Sequence, residues 1–181
     1  MQRDIIEFKR KIIYDFGSNN GNNIPYYLLK SDLVVAVEAN PNLCEQIYNR
    51  FASEIEQERL IVENCVITAE GDFDQVSFYI HKTSHVQSQF PKPSADKLEQ
   101  YDEVLLPSKM VTNIIDEHGY PYYIKIDIEN YDVEILRTLS INKIFPPFIS
   151  AESHSIDVFC MLVNMGYKAF KLVEGNTVSQ T

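Results

Sequence analysis

The strongest constraint on the fold is a pair of short apolar runs near the start of the chain, joined through a glycine loop. The first run, 11–16, enters the loop 15–21, which has the form D-x-G-x-N-x-G. The second run, 33–37, ends in Glu38. A strand, a tight glycine turn, a helix and a second strand tipped with an acid form the unit with which open α/β sheets bind nucleosides. The segment therefore predicts a parallel α/β sheet with a nucleoside site at its edge.

The spacing of the glycines argues against a dinucleotide. The dinucleotide fingerprint G-x-G-x-x-G needs glycines at positions 17, 19 and 22, but Asn19 and Asn22 occupy the last two. Without closely spaced glycines, the loop has less room for a pyrophosphate against the helix N-terminus. An NAD-dependent enzyme is therefore the less favoured alternative, and Glu38 is predicted to accept hydrogen bonds from a ribose.

A second informative segment, 122–136, is a β-rich run that changes directly into a helical pattern. Alternation along a strand places Lys125, Asp127 and Glu129 on one face. Charges on an otherwise apolar strand are costly to bury unless they are paired. We therefore expect them at the carboxyl end of the strand, where open α/β sheets bind ligands. Lys125 is predicted to pair with one of the acids.

Four segments together resemble the FkbM-type methyltransferases, whose members carry D-x-G-A-N-x-G, an E-P-like turn, a K-I-D-x-E-G block and a late strand that ends in Glu. The corresponding segments are 14–21, 35–41, 124–136 and 149–152. The likeness extends over about residues 11–172. Asn130 stands where the family usually has Gly, and Ala39 follows Glu38 where Pro is common. Asn tolerates positive φ, so the first departure is compatible with the turn.

The resemblance implies a Rossmann-like three-layer α/β/α sandwich with a mostly parallel central sheet. It also implies an S-adenosylmethionine-dependent O-methyltransferase, of a kind that often acts on sugar hydroxyls of glycans or on secondary metabolites, so a small-molecule or glycan acceptor is expected. The loop would wrap the methionine part of the cofactor, and the end of the third strand would contact adenine, although Asn64 could equally cap a turn. The cofactor-binding residues that follow are Asp15, Gly17, Ser18, Asn19, Gly21, Glu38, Ala39, Asn64, Cys65 and Asp127.

A base helps methyl transfer to an alcohol, and the candidates lie after the fourth and fifth predicted strands. They are Asp127, Glu129, Glu152 and His154, of which only His154 has an ordinary pKa near neutrality. A loop histidine can equally be structural, and Asp127 can orient the cofactor or substrate instead. Asp127, Glu129 and Glu152 offer the oxygen ligands that magnesium prefers, but the resemblance does not require a metal.

Composition narrows the class of partner. The 181 residues suit one α/β domain, 1–181. With 26 acids and 16 bases the net charge is −10, so a nucleic acid would be repelled. Cys44, Cys65 and Cys160 cannot all pair and lie in patterns typical of buried segments, which predicts reduced thiols and a cytoplasmic location. No apolar run approaches the ~18 residues of a membrane span.

Patterns along the remaining chain predict a third strand at 60–67, an extra strand at 76–80, a short strand at 103–106, a fifth sheet strand at 148–152 and a sixth at 167–173. The segment 81–101 lacks an apolar period and is long for a loop inside a compact domain. It is either a lid and substrate wall, with Ser84, His85 and Gln87 as contacts to the acceptor, or a solvated surface loop.

The end of the sequence leaves a second hypothesis open. Only Thr177 to Thr181 remain for the seventh, antiparallel strand of a methyltransferase sheet. We therefore expect that strand to be absent or very short, or the chain to be truncated. Together with Asn130, this allows a non-catalytic domain that binds a nucleoside cofactor or docks a partner.

Overall fold

The computed structural model describes residues 10–71 and 73–174, apart from the side chain of His85. The strands in this part are β1 (Ile12–Phe16), β2 (Leu33–Glu38), β3 (Leu60–Asn64), β4 (Val66–Thr68), β5 (Gln75–His81), β6 (Tyr101–Met110), β7 (Tyr123–Ile126) and β8 (Phe148–Ala151). The α-helices are α1 (Ile24–Leu28), α2 (Pro41–Arg50), α3 (Ala52–Glu56), α4 (Val111–His118), α5 (Asp132–Ile141) and α6 (Ile156–Asn164). Two short 3-10 helices, His85–Gln87 and Leu98–Gln100, lie between β5 and β6.

Five strands form a parallel sheet in the order β3-β2-β1-β7-β8. All five residues of β1 are buried, as expected for a strand that is covered on both faces. The strand order reverses at β1, which pairs with β2 on one side and with β7 on the other. Phe16 lies level with Val37 and with Ile126, so the three strands end together at a crevice. The prediction of a mostly parallel sheet is confirmed.

Helices cover both faces of this sheet, which gives the three layers that the family resemblance implies. Neighbouring β1 residues point to opposite faces. Tyr14 and Phe16 belong to the cluster that includes α4, α5 and α6, whereas Ile13 packs with α1 and α2. Leu136 of α5 and Ile47 of α2 are both fully buried. Because burying a side chain of this size contributes about 1.5–3 kcal/mol, both helical layers stabilise the sheet.

Three strands form a smaller sheet in the order β4-β6-β5. The predicted single strand at 60–67 is wrong, because β3 pairs with β2 whereas β4 pairs with β6. The short strand predicted at 103–106 is the middle of the 10-residue β6. Pro107 is the last β6 residue that pairs with β5, and β4 pairs from Ser108 onward. Proline has no N–H for a ladder, so it suits the point where β6 exchanges partners.

The start of α2 fixes the chain directly after Glu38. The Asn40 side chain accepts a hydrogen bond from the Asn42 N–H at 3.0 Å, and Pro41 occupies the first helical position. Asparagine at the cap and proline at the first position both favour helix initiation. The tip of β2 therefore leads into the helix through a well-defined turn.

The sixth strand predicted at 167–173 is wrong. The Tyr167 hydroxyl donates to the Pro146 carbonyl at 2.6 Å, and its ring packs against the core. Residues 168–174 are exposed and belong to no strand. Apolar β-formers make a strand only when they pair with a partner strand, and residues 168–174 join neither of the two sheets. Thr177 to Thr181 lie outside the described residues.

The structure tests the predicted burial of the three cysteines. Cys44 and Cys65 are buried, but Cys160 is exposed, so its predicted burial is wrong. It lies on α6, whose apolar pattern is only partly covered by the core. All three thiols are free.

None of the described helices combines the length and the apolar character needed to cross a membrane.

Candidate active site at the carboxyl edge of the sheet

A cavity of about 580 Å³ opens at the carboxyl ends of the parallel strands. The loop after β1, the tip of β2 and the residues that follow β7 and β8 form its polar side. Residues of β4 and β5 and of the segment 86–90 also line it. The smaller sheet therefore covers the crevice where the strand order reverses, which is the usual ligand position in such sheets.

The glycine loop folds over the tip of β2. The N–H groups of Gly17 and Ser18 donate to the Val37 carbonyl at 3.0 and 3.1 Å. Gly17 has a φ of +77°, and a Cβ atom there would collide with the carbonyl oxygen of Asp127. Glycine is thus required at position 17 because the ends of β1 and β7 touch there.

Backbone donors fix Glu38 at the tip of β2. Its Oε2 accepts from the Asn19 N–H and its Oε1 from the Asn40 N–H, both at 2.8 Å. Burial raises the pKa of the Glu38 carboxyl, and these two hydrogen bonds oppose the rise. The side chain lines the cavity, and each oxygen keeps a further lone pair. Glu38 can therefore accept two ligand hydroxyls without reorienting.

Lys125 joins three acceptors beneath the glycine loop. Its Nζ lies 3.1 Å from Asp15 Oδ1, from Asp127 Oδ2 and from the Gly17 carbonyl oxygen. Burial raises the pKa of the fully buried Asp15, although Lys125 opposes this. Burial also disfavours the Lys125 ammonium, but the two carboxylates hold its pKa above the ordinary value. The predicted pairing of Lys125 with an acid is confirmed, and it ties the ends of β1 and β7 together.

Further acids lie after β7 and β8. Asp127, Glu129 and Glu152 line the cavity. Burial raises the pKa of Glu129 and of Glu152, and the neighbouring Asp127 carboxylate adds to the rise for Glu152. His154 does not line the cavity, but its Nε2 lies 3.0 Å from Glu152 Oε2. The predicted base candidates are therefore gathered at one end, with His154 linked through Glu152.

One wall of the cavity is apolar and aromatic. It consists of Cys65, Val66, Ile67, Phe78, Phe90 and Tyr131. The Phe90 and Tyr131 rings meet edge to face with centroids 5.1 Å apart. An apolar wall of this kind suits a flat ring system.

Seven of the ten predicted cofactor contacts line the cavity. They are Gly17, Ser18, Asn19, Glu38, Ala39, Cys65 and Asp127. Asp15 lies beneath the loop, and Gly21 faces Ile24 and Ile47 of the helical layer. Asn64 donates its Nδ2 to the carbonyl oxygens at positions 38 and 39, both at 3.0 Å. These three residues hold the shape of the site instead of lining it.

The segment 86–90 brings residues to the cavity that no motif indicated. They are Val86, Ser88, Gln89 and Phe90. Ser84 and Gln87 do not line the cavity, and the His85 side chain lies outside the described residues. Gln89 exchanges backbone hydrogen bonds with Tyr79 of β5 at 3.0 and 2.9 Å. This pairing is tertiary, so neither composition nor periodicity could reveal it.

The acids proposed as metal ligands do not form a compact ligand group. Within the described ranges, the side chains close enough to share an ion are Glu63, Glu117 and His118, which lie outside the cavity. Lys109 Nζ lies 2.8 Å from Glu63 and 3.0 Å from Glu117. An ammonium group thus already offsets part of the negative charge of that cluster.

Comparison with known proteins agrees with this geometry. Among solved structures, the chain is similar to the methyltransferase FkbM from Methylobacillus flagellatus KT, at 18% identity and a TM-score of 0.52. The match covers 85% of this chain but 37% of that one, and at this identity it shows the fold alone. No curated protein matches significantly. The sequence model of the methyltransferase FkbM domain matches residues 15–163, from the glycine loop into α6, and the chain therefore belongs to the FkbM methyltransferase family.

Proposed function

We propose that this chain transfers a methyl group from S-adenosylmethionine to a hydroxyl of a sugar, a glycan or a secondary metabolite. Family membership supports methyl transfer in general. The observation that carries the finer proposal is the position of Glu38, whose carboxylate two backbone N–H groups fix on the cavity wall. The same cavity contains an aromatic wall and the acids after β7 and β8. It therefore offers what a nucleoside and a hydroxylated acceptor each require.

The residues present fit this cofactor. Ser18 lines the cavity, and its buried hydroxyl has no hydrogen-bond partner in the described structure. A buried hydroxyl without a partner is unfavourable, so a polar ligand atom at this point would satisfy it. Glu38 would hold the ribose hydroxyls, and Phe78 and Phe90 would lie against the adenine.

The acids at the other end suit the acceptor. When bound, S-adenosylmethionine supplies a methyl group on a positively charged sulfur. Nearby carboxylates would stabilise that positive charge. We assign Glu152 as the acceptor of the hydroxyl proton and His154, 3.0 Å away, as the group that passes the proton to solvent. Lys125 holds Asp127 in place beside them. Positioning contributes about 7–11 kcal/mol in such reactions, and a base about 10²–10⁴-fold in rate.

We also propose that residues 1–181 act as one domain in a reducing, cytoplasmic setting. The free thiols support the reducing environment. The net charge of −10 supports a small-molecule or glycan acceptor over a nucleic acid.

Calorimetric titration with S-adenosylhomocysteine tests the cofactor site. Glu38→Gln is expected to weaken binding by about tenfold or more, because hydrogen bonds to a charged group contribute about 1.5–3 kcal/mol. Ser18→Ala should weaken binding while leaving the melting temperature of the free chain unchanged or slightly higher. Glu45, exposed on α2, provides the control Glu45→Gln, which should bind like the wild type.

Two outcomes would contradict the proposal. A folded wild-type chain that binds no S-adenosylhomocysteine would favour the non-catalytic domain. A melting shift with NAD alone would favour the dinucleotide-dependent enzyme. Where the cofactor binds, a screen of sugars and glycans, read as a mass gain of one methyl group, tests the acceptor.

A further inference from the structure

A second, smaller groove adjoins the main cavity. Its volume is about 280 Å³, and Gln89 lines both spaces. Lys92, Ser94, Lys97 and Asn130 line the rest of the groove together with two prolines. None of the main-cavity acids lines it. The two spaces therefore meet at Gln89.

Hydrogen bonds of its backbone and of its side chain fix Gln89 at the junction between the cavity and the groove. The backbone of Gln89 is paired with Tyr79 of β5, and its Oε1 accepts from Asn130 Nδ2 at 3.3 Å. Its Nε2 donates to the Pro91 carbonyl at 3.4 Å. Asn130 has a φ of +62° in the turn after β7. The asparagine that replaces the usual family glycine thus contributes a side chain that steadies the wall.

The charge of the groove is opposite to that of the main cavity. Lys92 and Lys97 are its charged lining residues, and neither forms an ion pair in the part of the chain that the structure describes. The exposed Asp96 interacts with Lys97 and offsets part of its charge, but it does not line the groove. The main cavity is rich in acids, so an anionic group would be repelled there and attracted here.

We infer that the groove binds the anionic group, a carboxylate or a phosphate, of a hydroxylated acceptor whose hydroxyl enters the acid-lined cavity. This inference rests on the proposed function and narrows its acceptor class. The acids of the main cavity and the lysines of the groove carry opposite charges, and this difference fixes the orientation of such an acceptor. The two lysines select anionic over neutral acceptors.

Titration of the ¹⁵N-labelled chain, saturated with S-adenosylhomocysteine, with three sugars tests the inference. D-glucuronate and D-glucose 6-phosphate are the anionic probes, and D-glucose is the neutral one. At low salt, at least one anion is expected to shift the Gln89 and Asn130 amide signals with about fivefold or greater affinity over glucose. The variant Lys92→Met/Lys97→Met should abolish this preference. Lys171→Met, an exposed lysine outside the groove, should retain it.

Each outcome has one interpretation. Preference for only one anion supports the groove and identifies the anionic group. Equal affinity for charged and neutral sugars, no detectable binding of either anion, or a preference that survives in Lys92→Met/Lys97→Met overturns the inference. The titration is repeated without S-adenosylhomocysteine. Anion binding by a chain that does not bind S-adenosylhomocysteine would leave the groove intact and overturn only the proposed function.

Discussion

Lys125 is the only cation among the described residues that line the main cavity. Its ammonium lies between the fully buried Asp15 and the half-exposed Asp127. A buried carboxylate without a partner is strongly unfavourable, whereas a neutral pair of similar shape often costs little. The contribution of Lys125 to stability should therefore depend on the charge of Asp15.

A double-mutant cycle tests this dependence. Lys125→Met should lower the free energy of unfolding by about 3–5 kcal/mol at neutral pH, because it leaves Asp15 buried and unpaired. Adding Asp15→Asn should recover more than half of that loss. Urea denaturation of the wild type, both single variants and the double variant measures the coupling. Strictly additive losses would show that the pair is not coupled.

The carboxyl ends of β1 and β7 meet so closely that the loop between β1 and α1 has little freedom. Gly17 is crowded by backbone, namely the Asp127 carbonyl, which cannot rotate away. Gly71 also has a positive φ, but its neighbour is the Phe73 ring, a side chain that can move. A comparison of substitutions at these two glycines therefore distinguishes the effect of backbone crowding from the energetic cost that a left-handed conformation imposes on any other residue.

Gly17→Ala is expected to destabilise the chain by at least about 2 kcal/mol more than Gly71→Ala. Both substitutions carry the cost of a left-handed conformation, roughly 1–3 kcal/mol, but only the first separates two strands of the sheet. Gly17→Ala should also weaken S-adenosylhomocysteine binding, since Ser18 and Asn19 follow directly. Thermal denaturation and calorimetry measure the two effects. Equal losses in both variants would mean that β1 and β7 do not depend on this contact.

The local pattern of apolar residues in the sequence predicted the strands and helices that pack against a continuous core. β1, β2 and the strand before Asp127 are apolar runs bounded by clear breaks, and their acids identify the edge that holds the cavity. The pairing of Lys125 followed from the cost of burying charge. These features depend on residues that are close in sequence.

Features that depend on distant partners could not be predicted. Cys65 separates β3 from β4 within a run that was predicted as one strand, and only the pairing of β4 with β6 explains why the chain leaves the main sheet there. The run that begins at Tyr167 resembles a strand, but its described residues join neither sheet. Phe90 reaches the cavity because Gln89 pairs with β5. The contribution of Phe90 to the cavity is therefore invisible in the sequence, although the acids of the cavity are not.

Burial of several acids gives the folded chain an unusual response to pH. Burial raises the pKa of Asp132 from 3.8 to about 6, and it raises the pKa of Glu129 and Glu152 as well. The folded state then holds protons that the unfolded state has already released. The stability that these acids contribute is complete below about pH 4 and declines as the pH rises through the folded pKa.

Asp132→Asn should reduce this decline. The shift at Asp132 corresponds to at most about 3 kcal/mol, so the variant should be more stable than the wild type by about 1–3 kcal/mol at pH 7.5, with no advantage at pH 4. Asp157, exposed in the first turn of α6, provides the control Asp157→Asn, for which no gain is expected. Urea denaturation across this pH range measures the difference. A gain that does not vary with pH would rule out the protonation of Asp132 as its cause.

The central place of β1 in the sheet sets the order in which the chain can fold. On one side Ile13 pairs with Val34 of β2, which is close in sequence, but its partner on the other side is Tyr123, 110 positions further along (123 − 13). During synthesis, β1 and β2 leave the ribosome long before β7, so one edge of β1 remains unpaired while most of the chain is made. Such distant pairing slows folding. We therefore expect the cavity to be among the last parts to assemble, and nascent chains that stop before residue 123 to be prone to aggregation.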